Sequence, residues 1–366
     1  MAYKPSSDKI LFIIASLLAT FGLVMVYSAS AALSSDKHAG DSAYFFLRQL
    51  AFAGFGYGLM ILLMNMDYHI WQNKKLRNVL LTISAVSLVL VLFHPKINGA
   101  HRWLRIGSIS LQPSEIAKLV LLIFLADFLQ RHGQEINNFR ERLLPCLTIV
   151  LLFVALIVVE PDLGQALCLV FIVSLLLFAA GLSWKHIGTG ALVAIPTIVV
   201  AVLLLPRRFE RILTFLDRTQ DPLGPAWQIT QALTAIGSGG LVGVGLGGST
   251  QKLFFLPEAH SDFIFAIIGE ELGLCGAGLL CIAFVIYFHR GIKTALKAPD
   301  LFGYYLGMGI TLMVVLQAFI NISMVLALLP TKGIALPFIS QGGSSLLMNL
   351  MATGILLNIS NFAEKT

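Results

Sequence analysis

Charge is scarce in this sequence: only 12% of its 366 residues are Asp, Glu, Lys or Arg, against roughly 25% in a soluble globular domain. Hydrophobic residues make up 57% of the chain. A soluble fold cannot bury that much apolar surface, and an intrinsically disordered chain contains far less of it. The composition therefore excludes both classes and indicates an integral membrane protein.

Cysteine is also rare, and its positions do not suggest chemistry. The four cysteines lie inside apolar runs and form no Cys-x-x-Cys pair; they are Cys146, Cys168, Cys275 and Cys281. This pattern excludes a secreted disulfide scaffold and does not indicate a zinc site. We expect four small buried side chains.

Long apolar runs, in contrast, are abundant. A helix needs about 20 mostly apolar residues to cross a bilayer, and the first run is too long for the core of a signal peptide. The sequence predicts an all-α polytopic membrane protein that forms a single domain over residues 1–366, with about ten transmembrane helices. The predicted spans are 10–33, 44–66, 76–94, 114–130, 144–159, 164–181, 187–206, 263–288, 305–329 and 340–360.

The net charge of +6 comes from basic residues scattered through the loops. Such scatter indicates membrane orientation rather than a nucleic-acid groove. With cytoplasmic termini, thirteen Lys and Arg residues fall in inner segments and only five in the short outer loops, which is the asymmetry that orients membrane proteins. We therefore expect both termini in the cytoplasm and a large outer loop, about 207–262, between spans 7 and 8.

Ionisable residues near the spans are candidates for function, because each is costly in a bilayer without a partner or a water-filled cavity. Glu115 and Lys118 stand three residues apart on one helical face at the start of span 4. They form either a local salt bridge or part of the lining of a polar cavity.

Other ionisable residues have simpler predicted roles. Asp162 is placed to cap span 6, and Glu160 beside it is expected to be solvated at the interface. Arg48 and Asp127 lie near span ends, so we expect their polar groups to extend toward the interface.

The densest ionisable cluster lies between residues 256 and 273. A helix that begins at Pro257 would place Glu258 and Asp262 on one face. Like charge and partial burial would then raise the pKa of one carboxyl and suit it as a general base. A solvated acidic pair is the alternative.

Two further features accompany this cluster. Glu270 and Glu271 either face a cavity or belong to an interfacial helix that precedes the span, while His260 is a base, a ligand or a polar neighbour. Gly243, Gly245 and Gly248 fit the pattern Gly-x-Gly-x-x-Gly, but no strand precedes them. We therefore expect a tight loop rather than a dinucleotide site.

Two classes of function fit these residues. The first is an enzyme at the outer interface, with a carboxylate base and basic residues that neutralise a pyrophosphate, alone or with a divalent cation. The basic candidates are Arg207, Arg208, Arg211, Lys252 and Lys332. The alternative is a transporter or flippase, which predicts broken helices in paired repeats that the sequence does not show.

Five segments resemble the SEDS (shape, elongation, division and sporulation) family of bacterial peptidoglycan polymerases, which includes FtsW and RodA. They are MVYSAS at 25–30, NGAHRWLRIGSISLQPSEIAK at 98–118, PDLG at 161–164, QITQALTAIGSGGLVGVGLGGSTQKLFFLPEAHSDFIFAIIGEELG at 228–273 and LPTKGIALPFISQGGSS at 329–345. The resemblance runs nearly end to end. The stretches QKLFFLPEAH and LPTKG are more similar to division-type than to elongation-type members.

The resemblance implies a ten-span glycosyltransferase that polymerises lipid II at the outer face of the bacterial cytoplasmic membrane. It implies that Asp262 deprotonates the acceptor GlcNAc 4-hydroxyl, which displaces undecaprenyl pyrophosphate with inversion. Glu258 and Lys332 match supporting positions, and Glu115 and Lys118 match a pair near a central cavity. The other predicted supporting residues are Arg102, Arg208, Arg211, His260 and Ser344.

The resemblance also implies cofactors and partners. It predicts a divalent cation, Mg²⁺ or Mn²⁺, with unassigned ligands, and no nucleotide or organic cofactor. It predicts pairing with a single-span class B penicillin-binding protein transpeptidase and with other division or elongation proteins, but no nucleic-acid partner. Two positions depart from the family pattern: Gln341 and Trp227 each stand where Tyr is more common.

Overall fold

Long helices form most of the computed structural model, which describes residues 7–37, 40–95, 101–106, 109–190, 192, 196, 215 and 225–363. The helices are α1 (Lys9–Lys37), α2 (Tyr44–Asn65), α3 (Lys74–Val91), α4 (Pro113–His132), α5 (Leu144–Val159), α6 (Leu163–Ala179), α7 (Pro225–Gly239), α8 (Ile264–Leu296), α9 (Leu301–Val325) and α10 (Gly343–Phe362). The short elements are 3₁₀ turns at Tyr68–Gln72 and Gly133–Glu135, a π-helical turn at Phe139–Leu143, and strands β1 (Leu104–Ile106) and β2 (Ile109–Leu111).

Nine of the ten predicted spans coincide with a helix in the part of the chain that the structure describes. The exception, 187–206, lies mostly outside the described residues. Among the described helices, six are long and apolar enough to cross a bilayer by length and composition. The chain is therefore a multi-pass, mainly helical membrane protein, as predicted, with a small antiparallel hairpin (β1 and β2) that the sequence analysis did not anticipate.

Helix α4 is the central element of the bundle. It packs against α9 and α3, and most of its side chains are buried. Pro113 occupies its first turn, where a missing backbone N–H is tolerated. Because protein surrounds α4, it can carry the charged residues Glu115, Lys118 and Asp127 that a lipid-facing helix could not.

The two ends of the chain meet at one end of the bundle. The backbone N–H of Asp8 donates to Ser360 Oγ at 2.9 Å, and the Asp8 carboxylate accepts from Arg290 Nε at 2.8 Å. Asn361 at the end of α10 donates to the carbonyl of Met64 at the end of α2, at 3.1 Å. The beginning of the chain and its end therefore lie on the same side, as an even number of spans requires.

The prediction of a helix from Pro257 is wrong. Residues 251–263 form successive turns, Glu258 has a positive φ of 55°, and α8 begins only at Ile264. Backbone bonds such as Phe263 N to Glu258 O at 3.2 Å close these turns. The chain turns here because the residues just before this segment are held against α8.

Buried carboxylates at the start of α8 hold that preceding loop. Glu270 accepts from Ser249 Oγ at 2.5 Å and Thr250 N at 2.9 Å. Glu271 pairs with Lys252 Nζ at 2.7 Å and accepts from Ser28 Oγ of α1. Donors from the loop bind Glu270, and donors from the loop and from α1 bind Glu271.

A kink at Gly273 separates the first segment of α8 from the rest. Gly273 has φ 65° and ψ −166°, and a Cβ there would lie 2.4 Å from Gly243 N. A Cβ at Gly243 would lie 2.1 Å from Glu271 O, so both positions require glycine for close approach. The expected tight glycine loop is present, and Gly273 divides α8 into two helical segments.

Two other expectations are corrected by the packing. Cys146 and Cys168 are buried, but Cys275 is exposed on α8 and Cys281 is half-buried. Asp127 does not extend toward the interface: its carboxylate is buried and binds Arg77 and, at 2.8 Å, Arg131. The partner Arg77 comes from α3, which local sequence does not reveal.

Candidate active site

A cavity of about 560 Å³ opens at the end of the bundle opposite the chain termini. Residues from the first turns of α2, α4, α6 and α10 line it, together with the hairpin, the turns before α8 and residues 331–335. These helices point their positive N-terminal ends at the cavity, which favours anions. The charged lining residues are Arg48, Arg102, Arg105, Lys332, Glu115, Glu258 and Asp262.

Asp262 and Arg102 converge on Gly333. A Cβ built at Gly333 would lie 3.2 Å from Asp262 Oδ2 and 3.4 Å from Arg102 Nη1. A carboxylate and a guanidinium therefore border the same small space, and Lys332 stands next to it in the chain. This part of the cavity brings together a proton acceptor and two cations.

Glu258 lines the same cavity, although it does not share a helix with Asp262. Its carboxylate accepts from Ser261 Oγ at 2.8 Å, within the turns that precede α8. The structure thus places both predicted carboxylates at one site through turns instead of helical periodicity.

Glu115 and Lys118 combine the two arrangements expected of them. Lys118 Nζ lies 3.0 Å from Glu115 Oε2, and the pair is almost completely buried. Glu115 also lines the cavity and accepts from Gln165 Nε2 of α6 at 2.8 Å. Lys118 reaches away from it and donates to Gln317 Oε1 of α9 at 2.7 Å. Glu115 therefore forms part of the cavity floor, Lys118 supports it from below, and the pair ties α4 to α6 and α9.

Arg102 is held by the turn between α5 and α6. Its Nη2 donates to Pro161 O at 2.6 Å, and its Nε lies 3.7 Å from Asp162 Oδ2. Asp162 caps α6 as expected, accepting from Gln165 N at 3.3 Å. Burial raises the pKa of Asp162, while Arg102 acts in the opposite direction.

The expectation that Glu160 is solvated is wrong. Its side chain is fully buried, and neither carboxylate oxygen has a hydrogen-bond partner within the described part of the chain. Burial raises the pKa of Glu160 to about 8, and Asp162 adds to the increase while Arg102 opposes it. The sequence could not reveal this, because the turn folds Glu160 inward.

Two predicted supporting residues have mainly architectural contacts. His260 lines the cavity and stacks on Phe45, with 5.8 Å between ring centroids. Burial lowers the pKa of His260, with Glu258 acting in the opposite direction. Ser344 is buried at the start of α10, where it accepts from Gln112 N and donates to Ser110 O, both at 3.1 Å. It fixes the hairpin against α4 and α10.

The two departures from the family pattern have different positions. Gln341 lines the cavity, and its backbone N–H donates to His260 O at 3.0 Å. Trp227 of α7 donates its indole N–H to Phe255 O at 2.8 Å, which fixes the loop before the site.

Several predicted cations are not placed in the cavity. Arg207, Arg208 and Arg211 lie outside the described residues. Lys252 is committed to Glu271 and Ser28, so it is a structural cation of the loop. Conversely, sequence reasoning missed Arg48, which lines the cavity and donates to Ser110 Oγ at 2.9 Å instead of extending toward the interface.

Arg105 of the hairpin was missed as well, and it also lines the cavity. Further missed lining residues are neutral, and they include Phe45, Gln49, Phe52, Trp103, Gln112, Gln165 and Gln228. Glutamines near the starts of apolar spans were the available signal, since a buried amide needs partners as a buried charge does.

The described residues do not form a closed metal cage. Among them, no three Asp, Glu, His or Cys side chains gather in a way that could hold a metal ion. A Mg²⁺ ion often takes only one or two carboxylates and fills its shell with water and substrate phosphate oxygens. The donor set at Glu258 and Asp262 suits only such a shared ion.

Comparison with known proteins gives a consistent result over the whole chain. Residues 8–365 match the FtsW, RodA and SpoVE family, described as "Cell cycle protein". Stage V sporulation protein E of Bacillus subtilis is 44% identical over 365 residues, which cover 99% of each chain. A probable peptidoglycan glycosyltransferase FtsW of Trichlorobacter lovleyi is 42% identical over 356 residues, 96% of this chain and 93% of that protein.

Solved structures are also similar to this chain over nearly its whole length. One similar chain comes from a structure described as "Structural coordination of polymerization and crosslinking by a peptidoglycan synthase complex". It superposes with a TM-score of 0.80 at 30% sequence identity, and the match covers 97% of this chain and 98% of that one. The rod shape determining protein RodA of Thermus thermophilus gives a TM-score of 0.71 at 28% identity, covering 98% and 99%.

Proposed function

This chain belongs to the FtsW, RodA and SpoVE family, and on that premise we propose that it is a peptidoglycan glycosyltransferase in cell division or cell-shape maintenance. Its substrate would be lipid II, a disaccharide-peptide linked to undecaprenyl pyrophosphate, which it would polymerise into glycan strands. The observation that carries the proposal is the convergence of Asp262 and Arg102 on Gly333, beside Lys332, in a cavity of about 560 Å³. That volume is typical of a site for a small ligand.

Asp262 is the proposed general base. It accepts the proton of the acceptor GlcNAc 4-hydroxyl as that oxygen bonds to the anomeric carbon of the donor. The bond from this carbon to the pyrophosphate oxygen breaks, and undecaprenyl pyrophosphate leaves with the electron pair. A single displacement inverts the anomeric centre. A positioned base contributes about 10²–10⁴-fold to such a step.

The cations of the cavity would stabilise the leaving diphosphate. Arg48, Arg102, Arg105 and Lys332 line it, and guanidinium groups bind phosphate oxygens in bidentate fashion. Helix N-termini add fixed positive potential at the same wall. Glu115 and Lys118 support the floor, Glu258 and His260 line the walls, and Ser344 holds the hairpin in place.

We retain a divalent cation, Mg²⁺ or Mn²⁺, as part of this proposal. The carboxylates of Glu258 and Asp262 would hold it together with the substrate diphosphate, and the ion would neutralise developing charge on the leaving group. No step above depends on it. Chelation with EDTA, followed by restoration with Mg²⁺ or Mn²⁺, tests this part separately.

The membrane context of the proposal is the cytoplasmic membrane of a bacterium, with the cavity on the outer side and the termini in the cytoplasm. The excess of Lys and Arg in segments at the end bearing the termini supports this orientation. A class B penicillin-binding protein transpeptidase is the proposed partner. The similarity to a chain of a peptidoglycan synthase complex supports it.

The test is polymerisation of labelled lipid II by the purified chain with its transpeptidase partner, resolved as glycan ladders. We expect ladders from wild type and a loss of at least about 100-fold with Asp262→Asn. Asp300→Asn is the matched control, because Asp300 caps α9 far from the cavity and Asn caps helices equally well.

Ladders from Asp262→Asn at the wild-type rate would remove Asp262 from the proposed role. An intact wild-type complex that makes no ladders with or without a divalent cation would overturn the polymerase proposal. Transport of lipid II across vesicles would then test the flippase alternative.

A further inference from the structure

We propose that Asn321 of α9 is a positioning residue that sets the place of Asp262 relative to Lys332. This inference rests on the proposed function and deepens it. Asn321 is fully buried, and its Nδ2 donates to Asp262 O at 2.8 Å and to Ile334 O at 2.7 Å. One amide group thus joins the segment before α8 to the segment after α9.

The segment that carries the proposed base is held at three successive carbonyls. His260 O accepts from Gln341 N at 3.0 Å, and Ser261 O accepts from Ser340 Oγ at 2.6 Å. Asp262 O, the third, accepts from Asn321. The first two donors belong to the loop before α10, whereas the third belongs to a helix. Of these three donors, Asn321 is the one that lies on a helix, so its bond ties this segment directly to α9.

The same helix also holds the segment that carries Lys332. Gln317 lies one turn before Asn321 on the same face of α9. Its Nε2 donates to Ala335 O at 3.0 Å, and its Oε1 accepts from Lys118 Nζ at 2.7 Å. Ile334 O and Ala335 O are thus both bound to α9, just after Lys332 and Gly333.

These contacts connect the proposed base to the floor of the cavity. From Glu115 through Lys118 and Gln317, buried polar groups reach residues 334–335, and Asn321 continues from there to Asp262. Amides inside a membrane bundle cost free energy unless they are bonded. An apolar side chain at position 321 would fill the same space at a lower cost in free energy. The presence of Asn321 therefore favours a role in positioning the two segments over a role in packing.

The expected role follows from the sensitivity of catalysis to position. A displacement of about 1 Å between reacting groups can cost about 100-fold in rate. Without the Asn321 amide, Asp262 and Lys332 keep their functional groups, but α9 no longer fixes the position of one segment relative to the other. We therefore expect kcat to fall, with substrate binding less affected.

The experiment replaces Asn321 with the similar-sized Leu and uses Asn358→Leu as the matched control. Asn358 is equally buried and also bonds twice to backbone, to Met64 O and Tyr68 N at 2.8 Å each, but it lies at the opposite end of the bundle. In the lipid II assay we expect Asn321→Leu to lower kcat by about 10- to 100-fold, with KM within about threefold of wild type. The control should keep wild-type kcat at a similar loss in Tm.

A second measurement is independent of activity. Spin labels at the exposed positions Phe254 and Leu329 report the separation of the two segments. The distance distribution should broaden in Asn321→Leu and stay narrow in Asn358→Leu. If Asn321→Leu does not fold, Asn321→Ala removes the same two hydrogen bonds with a smaller side chain, and it should give the same broadening relative to Asn358→Ala.

The outcomes separate this inference from the proposed function. Wild type without ladders would overturn the function, while the spin-label distances still decide the positioning claim. Equal kcat in the two Leu variants, or equal distance distributions, would overturn the role of Asn321 and leave the polymerase proposal intact.

Discussion

Adding one methyl group at Gly333 should impair the proposed chemistry without unfolding the protein. The Cβ of Gly333→Ala would lie 3.2 Å from Asp262 Oδ2 and 3.4 Å from Arg102 Nη1. The backbone of Gly333 does not have the positive φ that would favour glycine. The substitution therefore acts through crowding of these two side chains and not through backbone strain.

The size of the effect follows from these distances. Ordinary van der Waals contact of a Cβ begins near 3.4 Å, so the carboxylate must shift by a few tenths of an ångström. Since a shift of about 1 Å can cost about 100-fold, we expect kcat/KM to fall roughly 3- to 10-fold in Gly333→Ala. A larger side chain, in Gly333→Val, must displace both groups and should lower it by about 100-fold or more.

The assay is the rate of glycan ladder formation by the complex, with Tm measured on the same preparations. Gly278→Ala is the control, because among the described residues nothing beyond its chain neighbours and the adjacent α8 backbone lies within 4 Å of its Cβ position. Alanine there should leave turnover unchanged and stabilise the helix by about 0.5–1 kcal/mol.

Wild-type turnover in both Gly333 variants would refute the reasoning, since it would mean that the space beside Asp262 and Arg102 is not used. A fall in Tm that matches the fall in turnover would instead assign the effect to folding.

Two further predictions concern stability. Burial raises the pKa of Glu160 from 4.5 to about 8, and Glu160→Gln removes this carboxyl. Because the folded chain holds the proton more tightly than the unfolded chain, the stability of the wild type decreases as the pH rises from about 5 to about 9. The Tm of the variant should therefore gain roughly 2–6 °C on wild type over that range, and a gain that is independent of pH would contradict the burial of an unpaired carboxyl. Asp127→Ala leaves the mostly buried Arg77 without its partner and should lower the free energy of unfolding by about 3–5 kcal/mol. In the same denaturation experiment Glu135→Ala, which breaks an exposed pair with Arg142, should cost less than about 1 kcal/mol; equal losses would argue against the buried ion cluster.

The helices were predictable because lipid imposes one simple requirement on sequence. Each span needs a run of apolar residues, so α2 and α5 begin and end within a few residues of their predictions. Span 9 was placed four residues late. Residues 326–329 are apolar but form turns, with a positive φ at Ala327, and composition alone cannot distinguish such a turn from the end of a helix.

The site was less predictable because its geometry depends on contacts between distant segments. Asp262 and Glu258 were identified by residue type, but the turns that bring them into the cavity are set by Glu270 and Glu271 against residues 249–252. Arg48 and Glu160 were misjudged for different reasons. Arg48 bonds to Ser110 of β2, which is distant in the chain. Glu160 is buried by the fold of its own turn, which residue types alone do not reveal.

The convergence of helix N-termini on the cavity has a consequence for how the protein tolerates mutation. The partial positive charge at the start of α2, α4, α6 and α10 belongs to the backbone, so no single substitution removes it and no change of pH neutralises it. Loss of one arginine or of Lys332 should therefore leave part of the affinity for a diphosphate in place. Redundancy of this kind allows the cations of the cavity to diverge one at a time, whereas the proposed base has no backbone substitute.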